Sequence, residues 1–291
     1  MIINNVSEYI LRVFDIEKEA ELEIGPIKPE FLFRGQSNIN YQLIPALGRF
    51  EGGHSDIGIV ERNLIVSAKR KMPSVFTNDL DPIELLCMLQ HYGIPTRLLD
   101  VTENALVALY FACAGNIDKN GEVLIFKNDP FDVSIYPFDY AIAESYKFAF
   151  TTMTYLDYFY ESIIAQPYFL EQINKLEKDN EAGGRWIDEC CKTPSFIYGS
   201  NRLERQLIQQ GRYILFPNAV EHVGSDSKPM FTSRIHALPK DHKCVAGRIE
   251  IMADKKQQIL KEIKMLGIDK AMLFADSVDM VCSEIKEKYY K

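Results

Sequence analysis

The segment Phe33-Arg34-Gly35-Gln36 places an arginine at the end of an apolar stretch, with a glycine directly after it. A guanidinium group is a planar fork of hydrogen-bond donors that fits a phosphate or a carboxylate. The glycine permits an unusual backbone angle or the close approach of a ligand. The segment therefore predicts an anion-binding site. The structural alternative is an arginine that pairs with a buried carboxylate or with main-chain carbonyls.

A second group of polar residues lies between residues 90 and 104, where a helix end, a strand and the next helix start follow one another. The group comprises His91, Tyr92, Arg97, Asp100, Thr102 and Asn104. Because free amides at a helix start attract negative groups, Asp100, Thr102 or a ligand phosphate can be held there. Alternatively, Thr102 caps the helix and Asp100 pairs with Arg97 or Arg34. The His91 imidazole can act as a general base or donate to a main-chain carbonyl, and the structural role is favoured.

The third group occupies residues 201–211, just before a predicted strand. It contains the carboxylate of Glu204, the guanidinium groups of Arg202 and Arg205, and several amides, among them Gln206 and Gln210. A charged helix with solvated ends has the same composition, and that interpretation is favoured when the segment is taken alone.

Composition and missing motifs limit the possible functions. The net charge of -8 argues against a surface that binds nucleic acid through its phosphates, although a local basic cleft is compatible with it. The six cysteines are scattered, so neither a disulfide framework nor a metal site is expected. The motifs of serine hydrolases, P-loop kinases and zinc metalloproteases are missing.

With no secretory signal at the N-terminus and an apolar run of only half a membrane span at 105–114, we expect a cytoplasmic protein without membrane contact.

Hydrophobic periodicity predicts the elements that position these groups. We expect helices within residues 1–30 and at 57–71, 81–91, 105–114, 259–266 and 278–285, and strands at 31–33, 96–100, 122–126, 213–216 and 246–251. Residues 175–184 are polar and are expected to form a loop. The alternation predicts an α+β fold, with α/β as the alternative. We expect one domain, 1–291, with an N-terminal helical extension at 1–30 and an aromatic-rich helical insertion at 137–190.

Two blocks of this sequence resemble the FRG-domain family. Phe33-Arg34-Gly35 is similar to the motif that names the domain, and residues 90–112 resemble its second, more specific block. Arg205, the Gln209-Gln210-Gly211 segment and residues 266–276 are also similar to the family. Val101 departs from it, since a tryptophan is expected there. The resemblance implies a bacterial or phage-associated protein whose reaction is largely unassigned.

The order of the polar groups is similar to that of ADP-ribosyltransferases of the arginine-serine-glutamate type. This resemblance implies a mixed sheet with a split β core, flanking and inserted helices, and NAD as cofactor. Arg34 would bind the NAD pyrophosphate, Thr102 would replace the middle serine, and Glu204 would stabilise the charge that develops on the ribose. Glu103 or another carboxylate is the alternative for this last role. Further cofactor contacts would come from Gly35, Gln36, His91, Arg97, Asp100, Asn104 and Gln210.

The implied function is an NAD-dependent transferase or NAD glycohydrolase that acts as a toxin or phage-defence effector. Its small-molecule partner would be a nucleotide, and an acceptor protein or nucleic acid is not identified. Gln206 departs from this pattern, because an acidic residue is expected two positions after Glu204. The alternative is a noncatalytic module that senses a ligand or partner, in which Arg34, Arg97 and Asp100 form a structural ion network.

Overall fold

The computed structural model describes residues 2–24, 28–50, 56–128, 136–147, 154–170, 179–199, 203–275 and 286. The helices are α1 (Val6–Ile24), α2 (Ile57–Lys71), α3 (Pro82–His91), α4 (Ala105–Cys113), α5 (Tyr136–Ala143), α6 (Leu156–Ile163), α7 (Pro167–Leu170), α8 (Asn180–Cys191), α9 (Glu204–Ile208), α10 (Lys256–Met265) and α11 (Lys270–Leu273). The strands are β1 (Ile2–Ile3), β2 (Glu30–Gln36), β3 (Leu98–Thr102), β4 (Gly121–Asn128), β5 (Thr154–Tyr155), β6 (Ser195–Ile197), β7 (Gly211–Leu215), β8 (Val220–Val223), β9 (Lys228–Phe231) and β10 (Val245–Ile251). None of the described helices is long and apolar enough to cross a membrane.

Seven strands form one mixed sheet in the order β1-β10-β4-β2-β3-β7-β6, and β5-β9-β8 form a second sheet. The pair β1 and β10 is parallel, whereas the other neighbours in the large sheet are antiparallel. Helices pack on this sheet without alternating regularly with parallel strands. The predicted α+β class with a mixed sheet is therefore confirmed.

The large sheet consists of two halves that meet at one residue pair. Strand β2 pairs with β4 along its whole length, from Glu30 to Gln36. Strand β3 pairs with β7 in the same way, from Leu98 to Thr102. Strands β2 and β3 both lie within the described residues, and they connect the two halves. They pair at one position, where Phe33 lies opposite Thr102. Because Thr102 is the last residue of β3, the two strands separate on the side of Arg34 and Val101, and a gap opens there.

Separate groups of helices cover the two halves. On β10, β4 and β2, the apolar core includes Tyr9 from α1, Val107 from α4 and Ile259 from α10, all fully buried. On β3 and β7, the core includes Leu89 from α3 and Leu98 from β3. A third cluster lies on the opposite face and runs across β4, β2, β3 and β7. The two halves are thus joined on the opposite face and separated on the face that carries α3 and α4.

Helix α8 corrects the loop expected at residues 175–184. The helix begins at Asn180, and the side chain of Asp179 caps it by accepting a hydrogen bond from the Glu181 amide. A Cβ at Gly183 would lie 2.2 Å from the Tyr160 ring of α6, so the glycine allows the two helices to pack closely. Residues 171–178 and the helix expected at 278–285 lie outside the described residues.

Glycine is required where α4 crosses β2 and β4. A Cβ at Gly35 would lie 1.8 Å from the main-chain oxygen of Ala108, and one at Gly121 would lie 2.3 Å from that of Ala112. Both contacts are with helix backbone, which cannot rotate away. Gly35 therefore serves the close approach of a helix, a reason that differs from the ligand or backbone angle expected from the sequence.

Arg97 and Glu61 form a buried ion pair that joins α2 to the large sheet. Their side chains are 1% and 2% exposed. Arg97 Nε and Nη2 donate to the two carboxylate oxygens of Glu61 at 2.8 and 2.5 Å, and Nη1 donates to the main-chain oxygen of Phe216 at 2.8 Å. Every nitrogen of the guanidinium is thus used within the protein.

We predict that Glu61→Gln destabilises the fold by about 3–5 kcal/mol, because a buried guanidinium loses its counter-charge. The free energy of unfolding in urea measures this change. The double variant Glu61→Leu/Arg97→Met removes both charges and should be more stable than Glu61→Leu alone. A Glu61→Gln variant with wild-type stability would contradict the prediction.

We predict that Gly35→Ala destabilises the fold by about 3 kcal/mol or more, at or beyond the upper end of the usual cost of overpacking. The matched control is Gly115→Ala, whose Cβ would lie 3.1 Å from the Ser37 hydroxyl, a side-chain atom that can rotate. Urea unfolding of both variants tests the difference, and equal stabilities would argue against the close packing of α4 on β2.

Candidate functional site

A cavity of about 500 Å³ lies where β2 and β3 diverge. It is lined by Phe33, Arg34, Gly35, Gln36, Ser37, Tyr41, Arg49, Gln90, His91, Asp100, Val101, Thr102, Val107, Ala108, Phe111, Leu203, Arg205, Gln206, Gln209, Gly211, Arg212, Tyr213 and Phe274. Since side chains alternate along a strand and opposed residues share a face, Phe33 and Asp100 project on one face of the sheet and Arg34 and Arg212 on the other. The gap between β2 and β3 therefore brings residues of both faces into one cavity.

Arg34 spans the gap and keeps donor capacity for a ligand. Its Nη1 donates a hydrogen bond to the main-chain oxygen of Asp100. Its Nε is buried and has no hydrogen-bond partner among the described residues. Burial lowers the pKa of the Arg34 guanidinium, the carboxylate of Asp100 opposes this change, and the charge of Arg49 adds to it. A bound anion would relieve the cost of this partly buried charge.

Three further arginines line the cavity, each held by a different contact. Arg49 donates from Nε and Nη2 to the main-chain oxygen of Ile44, at 3.3 and 3.0 Å. The guanidinium of Arg205 lies 5.4 Å from the centre of the Phe274 ring. Arg212 contacts both an aromatic ring and a carboxylate.

Arg212 lies at the edge of the cavity between Tyr198 and Glu103. Its guanidinium is stacked 3.7 Å from the centre of the Tyr198 ring and forms an ion pair with Glu103. The Tyr198 hydroxyl in turn donates to Glu30 at 2.9 Å, and these contacts fix the orientation of the arginine.

Positive charge dominates the cavity although the whole chain is acidic. Its lining contains four arginines, whereas Asp100 is the one carboxylate among the described lining residues. The formal charge of the lining is therefore +3 with His91 neutral, against -8 for the chain. The cavity is suited to a ligand that carries more than one negative charge.

The Asp100 side chain is positioned by α3. Gln90 Nε2 donates to Asp100 Oδ1 at 2.7 Å, and Gln90 Oε1 accepts a hydrogen bond from the Thr96 hydroxyl. The other carboxylate oxygen, Oδ2, has no hydrogen-bond or ion-pair partner among the described residues. The pairing of Asp100 with Arg97 that the sequence left open is wrong, because Arg97 is buried against Glu61 and lies outside the cavity.

Thr102 and Asn104 organise the junction between β3 and α4. The Thr102 hydroxyl lines the cavity, donates to the main-chain oxygen of Gln209 at 2.6 Å and accepts from the Asn104 amide at 3.0 Å. Asn104 lies outside the cavity and caps α4, since its side-chain oxygen accepts from the amides of Leu106 and Val107. Asn104 is thus the capping residue. Its side-chain oxygen accepts the hydrogen bonds of these two helix amides, so the amides are not left for a ligand.

In the third group of polar residues, those that line the cavity differ from those expected from the sequence. Glu204 is exposed at the start of α9, and neither it nor Gln210 is a lining residue. Gln210 is exposed and adopts a positive φ of 47° in the turn before β7. Gln206 and Gln209 line the cavity instead, and Gln209 Nε2 donates to the main-chain oxygen of Leu273 at 2.9 Å.

The expected residues that the structure brings together in the cavity are Arg34, Gly35, Gln36, His91, Asp100 and Thr102. Arg49, Gln90 and Arg212 also line the cavity, although the sequence did not indicate them as site residues. Arg49 lies in a 3-10 turn, Leu47–Arg49, with no neighbouring motif to indicate a site. Arg212 could have been found from strand pairing, because it lies opposite Val101, and the neighbouring Thr102 pairs with Phe33, which directly precedes Arg34.

A model of a known protein family matches the segment that supplies most of the residues lining this cavity. Residues 29–121 match the family model described as the FRG domain, and this range includes Arg34, Arg49 and Asp100. No curated protein and no solved structure matches the chain. The chain therefore carries an FRG domain, which spans residues 29–121.

Proposed function

We propose that the cavity binds NAD through its phosphates and that the chain is an ADP-ribosyltransferase-like effector that consumes NAD in the cytoplasm. The observation that carries the proposal is the lining of the 500 Å³ cavity, in which four arginines face one carboxylate. A diphosphate supplies two negative charges in a form that planar guanidinium groups recognise. The volume also lies within the range of ordinary small-molecule sites.

Apolar surface beside the arginines supports a ligand with aromatic rings. Phe33, Phe111, Tyr213 and Phe274 line the same cavity. A nicotinamide or adenine ring can pack on such side chains, whereas a free phosphate would leave them without a contact. This combination favours a nucleotide over an inorganic anion.

The arrangement of strands also supports the proposal. Arg34 on β2 lies across the gap from β3, next to the Phe33–Thr102 pair, and the apolar helix α4 follows β3 directly. This is the order that suggested an ADP-ribosyltransferase, and the gap lies between the two strands that carry Arg34 and Thr102. We assign Arg34 to the pyrophosphate. The exposed Glu204 does not line the cavity, so the proposed reaction is not assigned to it.

A specific contact favours a second candidate, a noncatalytic ligand-sensing module. The hydrogen bond from Arg34 to the main chain of Asp100 ties β2 to β3 at the gap, as expected of a structural arginine. In this case the same cavity would bind a ligand without cleaving it. Replacement of Arg34 distinguishes the two candidate functions. It should change NAD affinity if the arginine binds the ligand, and the melting temperature if the arginine is structural.

We predict that Arg34→Gln raises the dissociation constant for NAD by about 10-fold to 100-fold, the effect of losing one or two charge-assisted hydrogen bonds. Isothermal titration calorimetry measures the constant. Arg62→Gln makes the same charge change at an exposed position of α2 outside the cavity, so its affinity should equal that of the wild type.

The melting temperature separates the two roles of Arg34. If the arginine is chiefly structural, Arg34→Gln will lower the melting temperature and leave NAD affinity unchanged. If wild-type protein does not bind NAD at all, the proposed function is wrong.

We predict that purified wild-type protein releases nicotinamide from NAD and that its expression lowers cellular NAD and slows growth. Chromatography of the reaction, with and without cell extract to supply an acceptor, measures the release. Arg34→Gln should abolish the growth defect at equal expression. Binding of NAD without any release, with extract present, would select the noncatalytic module.

A further inference from the structure

We propose that Asp100 is the carboxylate that stabilises the positive charge at the ribose when nicotinamide leaves. This inference rests on the proposed NAD-consuming function and names a catalytic residue for it. The resemblance to transferases assigned that role to Glu204, which is exposed like Asp100 but lies outside the cavity. Asp100 lines the cavity, on the strand that faces Arg34 across the gap.

The contacts of Asp100 suit a carboxylate that acts on a ligand. Oδ1 is held by Gln90, whereas Oδ2 keeps its acceptor capacity among the described residues. The Thr96 hydroxyl fixes the other end of the Gln90 amide, so the carboxylate is oriented from α3 by a neutral side chain. Such an oriented charge needs little rearrangement during a reaction, which is the basis of electrostatic stabilisation in enzyme sites.

The neighbouring carboxylates are engaged elsewhere. Glu103 is paired with Arg212, and Glu61 is buried in its pair with Arg97. Asp100 also has a geometric link to the phosphate-binding group, because its main-chain oxygen accepts the hydrogen bond from Arg34. A diphosphate on Arg34 would therefore place the attached ribose near the residue that orients this arginine.

The proposed step is cleavage of the bond between C1′ of the ribose and the nicotinamide nitrogen. The bonding electron pair moves to the ring nitrogen and neutralises the pyridinium, and positive charge develops at C1′ and the ring oxygen. The negative charge of Asp100 stabilises this species. Water or an acceptor hydroxyl then forms a bond to C1′ and releases a proton to solvent, which gives ADP-ribose or its adduct, nicotinamide and a proton.

Asp100→Asn tests the assignment in the full-length chain. Asparagine has nearly the same shape, and its carbonyl oxygen can still accept from Gln90, so the melting temperature should be unchanged. We expect nicotinamide release to fall by about 100-fold or more. The dissociation constant for NAD should stay within about threefold of the wild-type value, because the phosphates are bound by the arginines.

The matched control is Asp254→Asn, which removes one negative charge from a side chain that is 72% exposed and outside the cavity. It should bind NAD and release nicotinamide at the wild-type rate. Gln90→Leu is the test of positioning: the turnover number should fall while the Michaelis constant for NAD stays the same.

The outcomes distinguish this inference from the function on which it rests. Wild-type protein that neither binds NAD nor releases nicotinamide overturns both. Wild-type protein that releases nicotinamide, with Asp100→Asn equally active, overturns the assignment of Asp100 alone. Loss of release in Glu204→Gln together with full activity in Asp100→Asn would give the role to Glu204.

Discussion

The site depends on the single pairing of Phe33 with Thr102, where two otherwise continuous half-sheets meet. A fully paired β2 and β3 would use their main-chain donors and acceptors in a ladder and leave no space between them. Because the ladder stops, the Asp100 carbonyl accepts from the Arg34 side chain instead of from a strand amide. The interruption of the sheet thus creates the cavity and orients its central arginine.

Close packing of α4 limits where this gap can form. The helix backbone lies against Gly35 and Gly121, so β2 and β4 cannot separate from it without losing that contact. On the other half, β3 and β7 are fixed by their own ladder and by the core around α3. Each half is therefore closely packed by itself, and a ligand in the cavity would contact both.

Sequence periodicity predicted the central elements well because their apolar residues are buried locally in regular patterns. Helices α2, α3 and α4 and strands β2, β4 and β10 occur where expected, whereas β3 extends to Thr102 rather than ending at Asp100. Strands β6, β8 and β9 were missed, since each has three or four residues and depends on a neighbouring strand for its stability. Such short segments carry too few alternating residues to indicate a strand.

The site was harder to predict because a sequence does not show which charges neutralise one another. Arg34 and Arg97 both stand in motifs of the same family, yet Arg97 is matched by Glu61, 36 residues earlier in the chain. Lys256 is fully buried, and its three donors are satisfied by the main-chain oxygens of Ser37, Gly115 and Asn116.

Glu122 shows the same principle for a carboxylate, since it is 1% exposed and paired with both Lys240 and Arg248. Each of these buried charges has protein partners that match its donors or acceptors, as the cost of desolvation requires. Arg34 differs, because its one described hydrogen-bond partner is a neutral carbonyl and its Nε is buried without a partner. The donors or acceptors of Glu61, Glu122 and Lys256 are matched within the protein, whereas Arg34 is incompletely matched at the wall of the cavity. This difference is the physical reason to regard Arg34 as a group that binds an external anion.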